Sequence, residues 1–375
     1  LYLDNVSVET LFQIIFWLFI TASILQLGFW LFIFRKLARL QPEVSGDDVQ
    51  PPVSIIICAR NEAKNLKKNL PRFLNQNYRS FEIIVVNDHS TDSTCDVVLN
   101  FQSKYTNLHL IEHRKSLPGK KAALTKGIEA ASFDIIAVSD ADCCPASADW
   151  LATMQRSIRG NVQIGLGYSP YCVEPGFLNL FIRFETVYTA IQYLSFALAG
   201  MPYMGVGRNL VYHKSLFQQE RGFHKHNHIA SGDDDLFINA VANRSNTKVI
   251  LDKKAFVFSQ PKVSWRGYYY QKARHLTTAT SYRFEHQVLL GALAASHAGH
   301  YVLGLALVLS GKFALTVLLT YLVRIVVVSW TCADILRKLN EPTLRKWVPP
   351  LDAVYVLFYF VFAPVPIIGK KIPWK

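Results

Sequence analysis

The sequence predicts an α/β domain, a doubly wound mixed sheet with helices on its faces, set between membrane-crossing helices, one ahead of it and two to three behind. Three observations carry this expectation. The composition is 51% hydrophobic with a positive mean hydropathy, the balance of a membrane protein. The apolar residues are concentrated at the two ends of the chain. Between them, from about Gln41 to His286, β-branched runs alternate with helical patterns, as in a sheet built from strand–helix–strand units.

The first element is Leu11 to Phe34, an uncharged run of about 24 residues, or roughly 36 Å as a helix, enough to span a bilayer. It is too long for a signal-peptide core, has no basic residue ahead of it and no small-residue cleavage site behind it, so residues 1–40 are expected to be a retained anchor. Residues 41–260 form the soluble domain, 261–286 an amphipathic stretch, and 287–375 the C-terminal membrane segments. Those segments are about Val288 to Ser310, with His297 and His300, then Phe313 to Ala333, with Arg324, and Leu351 to Ile368, with Pro364 and Pro366. The first two are joined by almost nothing and predict a tight helical hairpin. The prolines of the third favour a re-entrant or interfacial segment.

Arg35, Lys36 and Arg39 follow the first span, whereas only Asp4 and Glu9 precede it, which places the soluble domain in the cytoplasm of a cell (inner) membrane protein. Arg337, Lys338, Arg345 and Lys346 agree; Lys370, Lys371 and Lys375 agree only if the last segment does not cross. The net charge of +13 suits anionic headgroups and phosphorylated ligands. Nucleic acid is excluded because the basic residues are not gathered in a recognition motif, and no obligate protein partner is evident. The six cysteines, at 58, 95, 143, 144, 172 and 332, show no metal-ligand spacing and are expected to be reduced, with Cys143 and Cys144 as packing residues.

Within the soluble domain, Val53 to Cys58 reads as a buried parallel strand, followed by Ala59-Arg60-Asn61-Glu62 and a helix from about Ala63 to Leu74. A second strand, Glu82 to Val86, opens into Asn87-Asp88-His89-Ser90 and a helix capped near Asp92. A third, Leu108 to Glu112, leads to Pro118-Gly119-Lys120-Lys121-Ala122-Ala123-Leu124 and another helix. The fourth runs from Ile135 into Asp140, with Asp142 one residue further on. Hard oxygen ligands so spaced suit Mg²⁺ or Mn²⁺ carrying a diphosphate. Asp-x-Asp alone is common in solvated loops; here every polar cluster sits at the carboxyl end of a strand, where such sheets bind ligands.

These motifs, in this order from about Pro52 to Arg274, resemble the GT-A (Rossmann-like) fold of family 2 glycosyltransferases. Val53 to Glu62 resembles the opening strand and its Asn-Glu signature, which implies donor contacts from Ala59, Arg60, Asn61 and Glu62. Val86-Asn87-Asp88 resembles the second nucleotide-contacting aspartate, Gly119-Lys120 the lysine loop, and Asp140-Ala141-Asp142 the metal-binding pair. Gly207-Arg208-Asn209-Leu210 is similar to the segment lining the acceptor side. Ser231 to Leu236 is similar to the Thr-Glu-Asp-x-Asp-Leu segment of the catalytic base, and Gln271-Lys272-Ala273-Arg274-His275 to the Gln-x-x-Arg-Trp motif of membrane-bound members such as cellulose synthase and ceramide glucosyltransferase. His275 stands where the family has Trp and Gly232 where it has Glu. Loss of that Trp counts against polymerisation.

The implied chemistry is transfer of a sugar from a nucleotide diphosphate, expected to be UDP-linked, to a membrane lipid. A cation on Asp140 and Asp142 would neutralise the departing diphosphate, with Arg274 and Lys120 as further clamps; a solvated lysine at a helix start is the alternative for Lys120. An acceptor hydroxyl needs a carboxylate base. Aligning Asp235-Leu236 with the family's Asp-Leu puts Asp233 in that position and leaves Asp234 as the neighbour that a one-residue error would choose. An acidic N-cap explains one of the three aspartates. Single displacement inverts the anomeric centre. Trp265, Tyr268, Tyr269, Tyr270, Tyr282 and Phe284, interleaved with Lys262, Arg266, Lys272, Arg274 and Arg283, predict an interfacial helix, to which Phe177 to Leu198 could add unless it is core. His224, His226 and His228 read as a loop or acceptor contact, with a metal site as the alternative. The other readings are a processive polysaccharide synthase and a catalytically silent scaffold.

Overall fold

The computed structural model describes residues 8–41, 49–114 and 119–365. The expectations that rest on Asp4, Pro118, Pro366, Ile368, Lys370, Lys371 and Lys375 lie outside the described residues. In chain order, a continuous helix Val8–Arg39 comprises α1 (Val8–Gly28), a π-helical turn Phe29–Phe34 and α2 (Arg35–Arg39). Then follow β1 (Val53–Ala59), α3 (Ala63–Leu74), β2 (Phe81–Asp88), α4 (Thr94–Gln102), β3 (Leu108–His113), α5 (Lys120–Ala130), β4 (Ile135–Asp140) and β5 (Cys143–Pro145). The soluble part continues through α6 (Trp150–Arg156), β6 (Ile164–Leu166), α7 (Phe177–Leu198), β7 (Leu210–His213), α8 (Lys214–Gln219), α9 (Asp235–Val241), β8 (Thr247–Val249), β9 (Val257–Ser259) and α10 (Trp265–Leu276). Last come α11 (Phe284–Leu309), α12 (Ala314–Lys338) and α13 (Val348–Phe362). The chain divides into two compact units, one of helices from before residue 41 and after residue 282, the other Gln41–Tyr282.

The second unit is a seven-stranded sheet of order β3-β2-β1-β4-β7-β6-β8. β3, β2, β1 and β4 are parallel, β7 turns antiparallel to β4, and β6 pairs antiparallel with β7 and parallel with β8. Every residue of β1 is buried, Ser54 included, as its largely apolar, β-branched run requires of a strand covered on both faces. On one face Leu66, Leu70, Phe73 and Leu74 of α3, spaced three or four apart, join Ile55, Ile57 and Trp150 in the core. Each such side chain taken from water contributes about 1.5–3 kcal/mol. On the other face α5 lies so close that a Cβ on Gly127 would stand 2.6 Å from Ile56 Cγ2. The register sets Cys58 beside Asp140 and Ala59 beside Asn87, so three parallel strands end together. β5 pairs with β9, Cys143 against Ser259, and so anchors the loop that leaves β4. α7 is buried along most of its length and packs as core.

In the helical unit, three helices among the described residues are long and apolar enough to cross a membrane: Val8–Arg39, Phe284–Leu309 and Ala314–Lys338. The last two are joined by a tight turn in which Gly311 and Phe313 take left-handed backbone, φ 71° and 56°. α13 has 15 residues, about 22 Å of helix against roughly 30 Å of hydrocarbon. Arg324, Asp352, His297 and His300 of these helices turn inward, whereas Lys36, Arg39, Glu285 and Arg337 near the helix ends are exposed. Arg324 pairs with Asp352 and donates to Gln26 Oε1 at 2.9 Å, Asp352 accepts from Tyr301 at 2.7 Å, and His297 Nε2 lies 3.3 Å from Asp352. Ser23 and His300 share a hydrogen bond of 2.8 Å.

Candidate active site

The loops leaving β1 and β2 are stitched to each other. Asn61 takes left-handed backbone, φ 56°, which Asn tolerates better than most residues, and its Oδ1 accepts from Thr91 N–H at 2.8 Å. The N–H groups of Asn61 and Glu62 donate to Ser90 Oγ and Thr94 Oγ1, both at 2.9 Å. Ala59, fully buried, offers this region only its backbone, and Arg60 extends from the same strand end. Asp88, wholly buried at the end of β2, accepts from Gly119 N–H at 2.8 Å and thereby holds the entry to α5.

At the end of β4, one ligand atom each from Asp140, Asp142 and Cys143 lie within 4.8 Å of one another. Lys120, the first residue of α5, places its Nζ 2.9 Å from Asp140 Oδ1 and 2.9 Å from Asp233 Oδ2. Burial alone would raise Asp140; Lys120 beside it outweighs that and holds the carboxyl below the usual range. Burial would likewise lower Lys120, but Asp140 and then Asp233 hold its ammonium well above the ordinary lysine value. The Cys143 thiol is pushed well up by burial, then by Asp142 and Asp140, and as a soft donor it suits a hard divalent ion less than the two carboxylates do. An ammonium already drawn to Asp140 shows the field there to favour a cation, and the two carboxylates fit a hard divalent ion. Among the described residues His224, His226 and His228 form no such group; His224–His226 is a short 3₁₀ turn. All six cysteines are free.

The three consecutive aspartates face three ways. Gly232, at φ 93°, turns the chain into them. Asp233 points to Lys120. Asp234 caps α9, accepting from Asp235 N–H at 2.8 Å and from Gly207 N–H at 2.7 Å. Burial, then Asp233 and Asp235, push its carboxyl up to about 7. Asp235 accepts from Leu236 N–H at 2.8 Å, Tyr282 at 2.7 Å and Thr278. Burial raises its carboxyl, with Thr278 and Tyr282 opposing.

Arg208 lies 4.6 Å over the Tyr171 ring, and the Tyr171 hydroxyl accepts from Gln271 at 3.2 Å, which joins two of the sequence motifs. The charges of Arg208 and Arg274 both act on Asp140. His275 is exposed. Asn209 is not part of this cluster. Its side chain is wholly buried, donating to Tyr168 O at 2.8 Å and Ala255 O at 2.7 Å while accepting from Trp150 Nε1 at 3.0 Å. The structure thus gathers Asp88, Lys120, Asp140, Asp142, Asp233 and Asp234 at the strand ends. Tyr171 and Thr278 join the site without any signal in the sequence that named them, while Tyr282, expected at the membrane interface, and Gly207, expected on the acceptor side, instead hold Asp235 and Asp234.

Residues 54–217 match the family model described as Glycosyl transferase family 2. Among curated proteins, Glycosyltransferase AglE of Haloferax volcanii is 38% identical over 113 residues, 29% of this chain and 36% of that protein. Dolichyl-phosphate beta-glucosyltransferase ALG5D of Trichomonas vaginalis is 34% identical over 113 residues, 28% of this chain and 34% of that protein. The chain spans about a third of the length of these relatives. Among solved structures, the mannosyltransferase PcManGT from Pyrobaculum calidifontis, in complex with GDP-Man and Mn²⁺, superposes with a TM-score of 0.58 at 19% identity, over 92% of this chain and 99% of that one. This is a likeness of fold.

Proposed function

We propose that this chain, a family 2 glycosyltransferase by its match over residues 54–217 and its GT-A sheet, transfers one sugar from a nucleotide-diphosphate donor to a hydroxyl of a membrane lipid, with inversion. The observation that carries the reading is the single ammonium of Lys120, 2.9 Å from both Asp140 and Asp233, which ties the cation-binding end of β4 to a carboxylate on the opposite segment. Mg²⁺ or Mn²⁺ on Asp140 and Asp142 supplies charge neutralisation for the departing diphosphate.

The chain's own residues do the rest. Lys120 shifts from bridging the two acids to the donor phosphates, and Arg274 binds the same charge with a planar fork. Asp233 takes the proton of the attacking hydroxyl as the bond to the anomeric carbon forms and the bond to the diphosphate breaks. A hydroxyl acceptor suits this site because a neutral alcohol needs the carboxylate base that Asp233 provides. The lipid acceptor is supported by the three helices apolar enough for a bilayer and by the aromatic and basic residues of α10. A cytoplasmic catalytic domain in a cell membrane is supported by Arg35, Lys36, Arg39, Arg337 and Lys338 at helix ends.

The test is transfer by the purified chain in detergent with Mn²⁺, a panel of UDP- and GDP-sugars and a total lipid extract. A discrete glycolipid, reduced about 10²-fold or more in Asp233→Asn, is expected. A high-molecular-weight product would replace the reading with a processive synthase. No product with any donor would leave a silent scaffold.

A further inference from the structure

The lysine after Lys120 has a different task. Lys121 is 7% exposed, and its ammonium donates to the carbonyls of His226 at 2.7 Å and Ile229 at 3.1 Å. It also lies 6.0 Å from the Phe223 ring. Burial lowers its affinity for a proton, against the pull of Asp233, Asp235 and Asp234. An apolar side chain of similar length would occupy this position without the cost of desolvating a charge. What the ammonium adds is two bonds to main-chain carbonyls.

The loop it grips is anchored on its N-terminal side, by Phe223 against Phe217 and Phe237 and by Lys225 paired with Glu220 at 2.7 Å, and Lys121 holds the part that follows. His224, Lys225, Asn227 and His228 are exposed, and the turn's own backbone bonds are His226 N–H to Phe223 O and Ile229 N–H to His226 O. Four residues after Ile229 stands Asp233, whose carboxylate is held by Lys120. The first two residues of α5 therefore grip both ends of the segment from His226 to Asp233.

We propose that Lys121 is a positioning residue for the acceptor side: by pinning the 226–229 loop it fixes the approach to Asp233 and shapes the surface an acceptor meets. This rests on the reading of Asp233 as the base. It makes the donor side indifferent to Lys121 and the acceptor side sensitive to it.

The experiment uses the full chain in detergent as wild type, Lys121→Met and Lys121→Arg. Trypsin cuts after Arg221 and Lys225, both exposed in this loop, give a readout that needs no activity. Cleavage there is expected at least fivefold faster in Lys121→Met and near wild type in Lys121→Arg, whose guanidinium can again reach two carbonyls. With the lipid extract, kcat/KM for the acceptor falls about tenfold in Lys121→Met and is largely restored in Lys121→Arg, while the Kd for UDP stays within twofold. If Lys121→Met does not fold, Lys121→Gln, with an amide donor and no charge, takes its place. Unchanged cleavage, a parallel loss of UDP binding, or an arginine variant no better than methionine overturns the proposal. A wild type that transfers nothing refutes the base reading and leaves the cleavage arm to decide the loop.

Discussion

Asp234 is the residue whose surroundings leave the clearest mark on the behaviour of the protein. Its carboxyl, pushed up to about 7 from an ordinary 3.8 by burial and then by its two acidic neighbours, keeps in the folded state a proton that the unfolded chain releases near pH 4. The stability it contributes is complete below the unfolded value and is lost as pH rises through the folded one. Thermal melts from pH 4 to pH 8 should therefore show the wild type losing stability relative to Asp234→Asn, with the gap opening between about pH 4 and pH 7. Parallel melting curves would mean that Asp234 ionises normally. The sequence made the three aspartates conspicuous but not their division of labour, because what separates them is distant along the chain: Lys120 for Asp233, Gly207 for Asp234, Thr278 and Tyr282 for Asp235. Asn209 shows the same limit. Its motif suggested an acceptor contact, and only the packing of Trp150 against it reveals an amide spent inside the core.

At the scale of elements, the parallel strands and the helix Ala63–Leu74 were legible because buried strands read as largely apolar, β-branched runs and an amphipathic helix as a repeat of three and four. The antiparallel β6 and β7 and the two-stranded pairing of β5 with β9 were not, since three- and four-residue strands have no periodicity to read. α5 is the element on which the site most depends. It carries Lys120 and Lys121 at its start and meets β1 at Gly127, where an added methyl would meet Ile56 Cγ2 at 2.6 Å and Val86 Cγ2 at 3.0 Å. Gly127→Ala gains helix propensity of about 1 kcal/mol, but overpacking typically costs about 1–3 kcal/mol and displaces the helix. The variant should melt lower and transfer more slowly than wild type. An unchanged melt with unchanged transfer would show that the sheet face yields freely at this point.

Across the whole molecule, polar and charged groups inside apolar elements carry the specificity. In the helical unit Arg324 and Asp352 are nearly inaccessible and draw Gln26, Tyr301 and His297 into one network that joins α1, α11, α12 and α13. Breaking a buried pair by removing one partner costs about 3–5 kcal/mol, whereas replacing both with apolar residues can be nearly neutral. Arg324→Leu and Asp352→Leu should each lower thermal stability in detergent, and the double variant should recover most of the loss. A double variant as unstable as the sum of the two would contradict the pairing. Hydropathy located these helices, but Arg324, read alone, gave no hint that its counter-ion lies on the last helix.

The claim on which the functional account turns is that Asp140 and Asp142 hold a divalent cation that carries the donor diphosphate. Calorimetric titration of UDP and of GDP into the purified chain, with and without Mn²⁺, in wild type and Asp140→Asn, tests it most directly. The account predicts nucleotide binding that needs the metal and is weakened at least tenfold by the substitution. Binding of equal strength without Mn²⁺, or in Asp140→Asn with it, would contradict it.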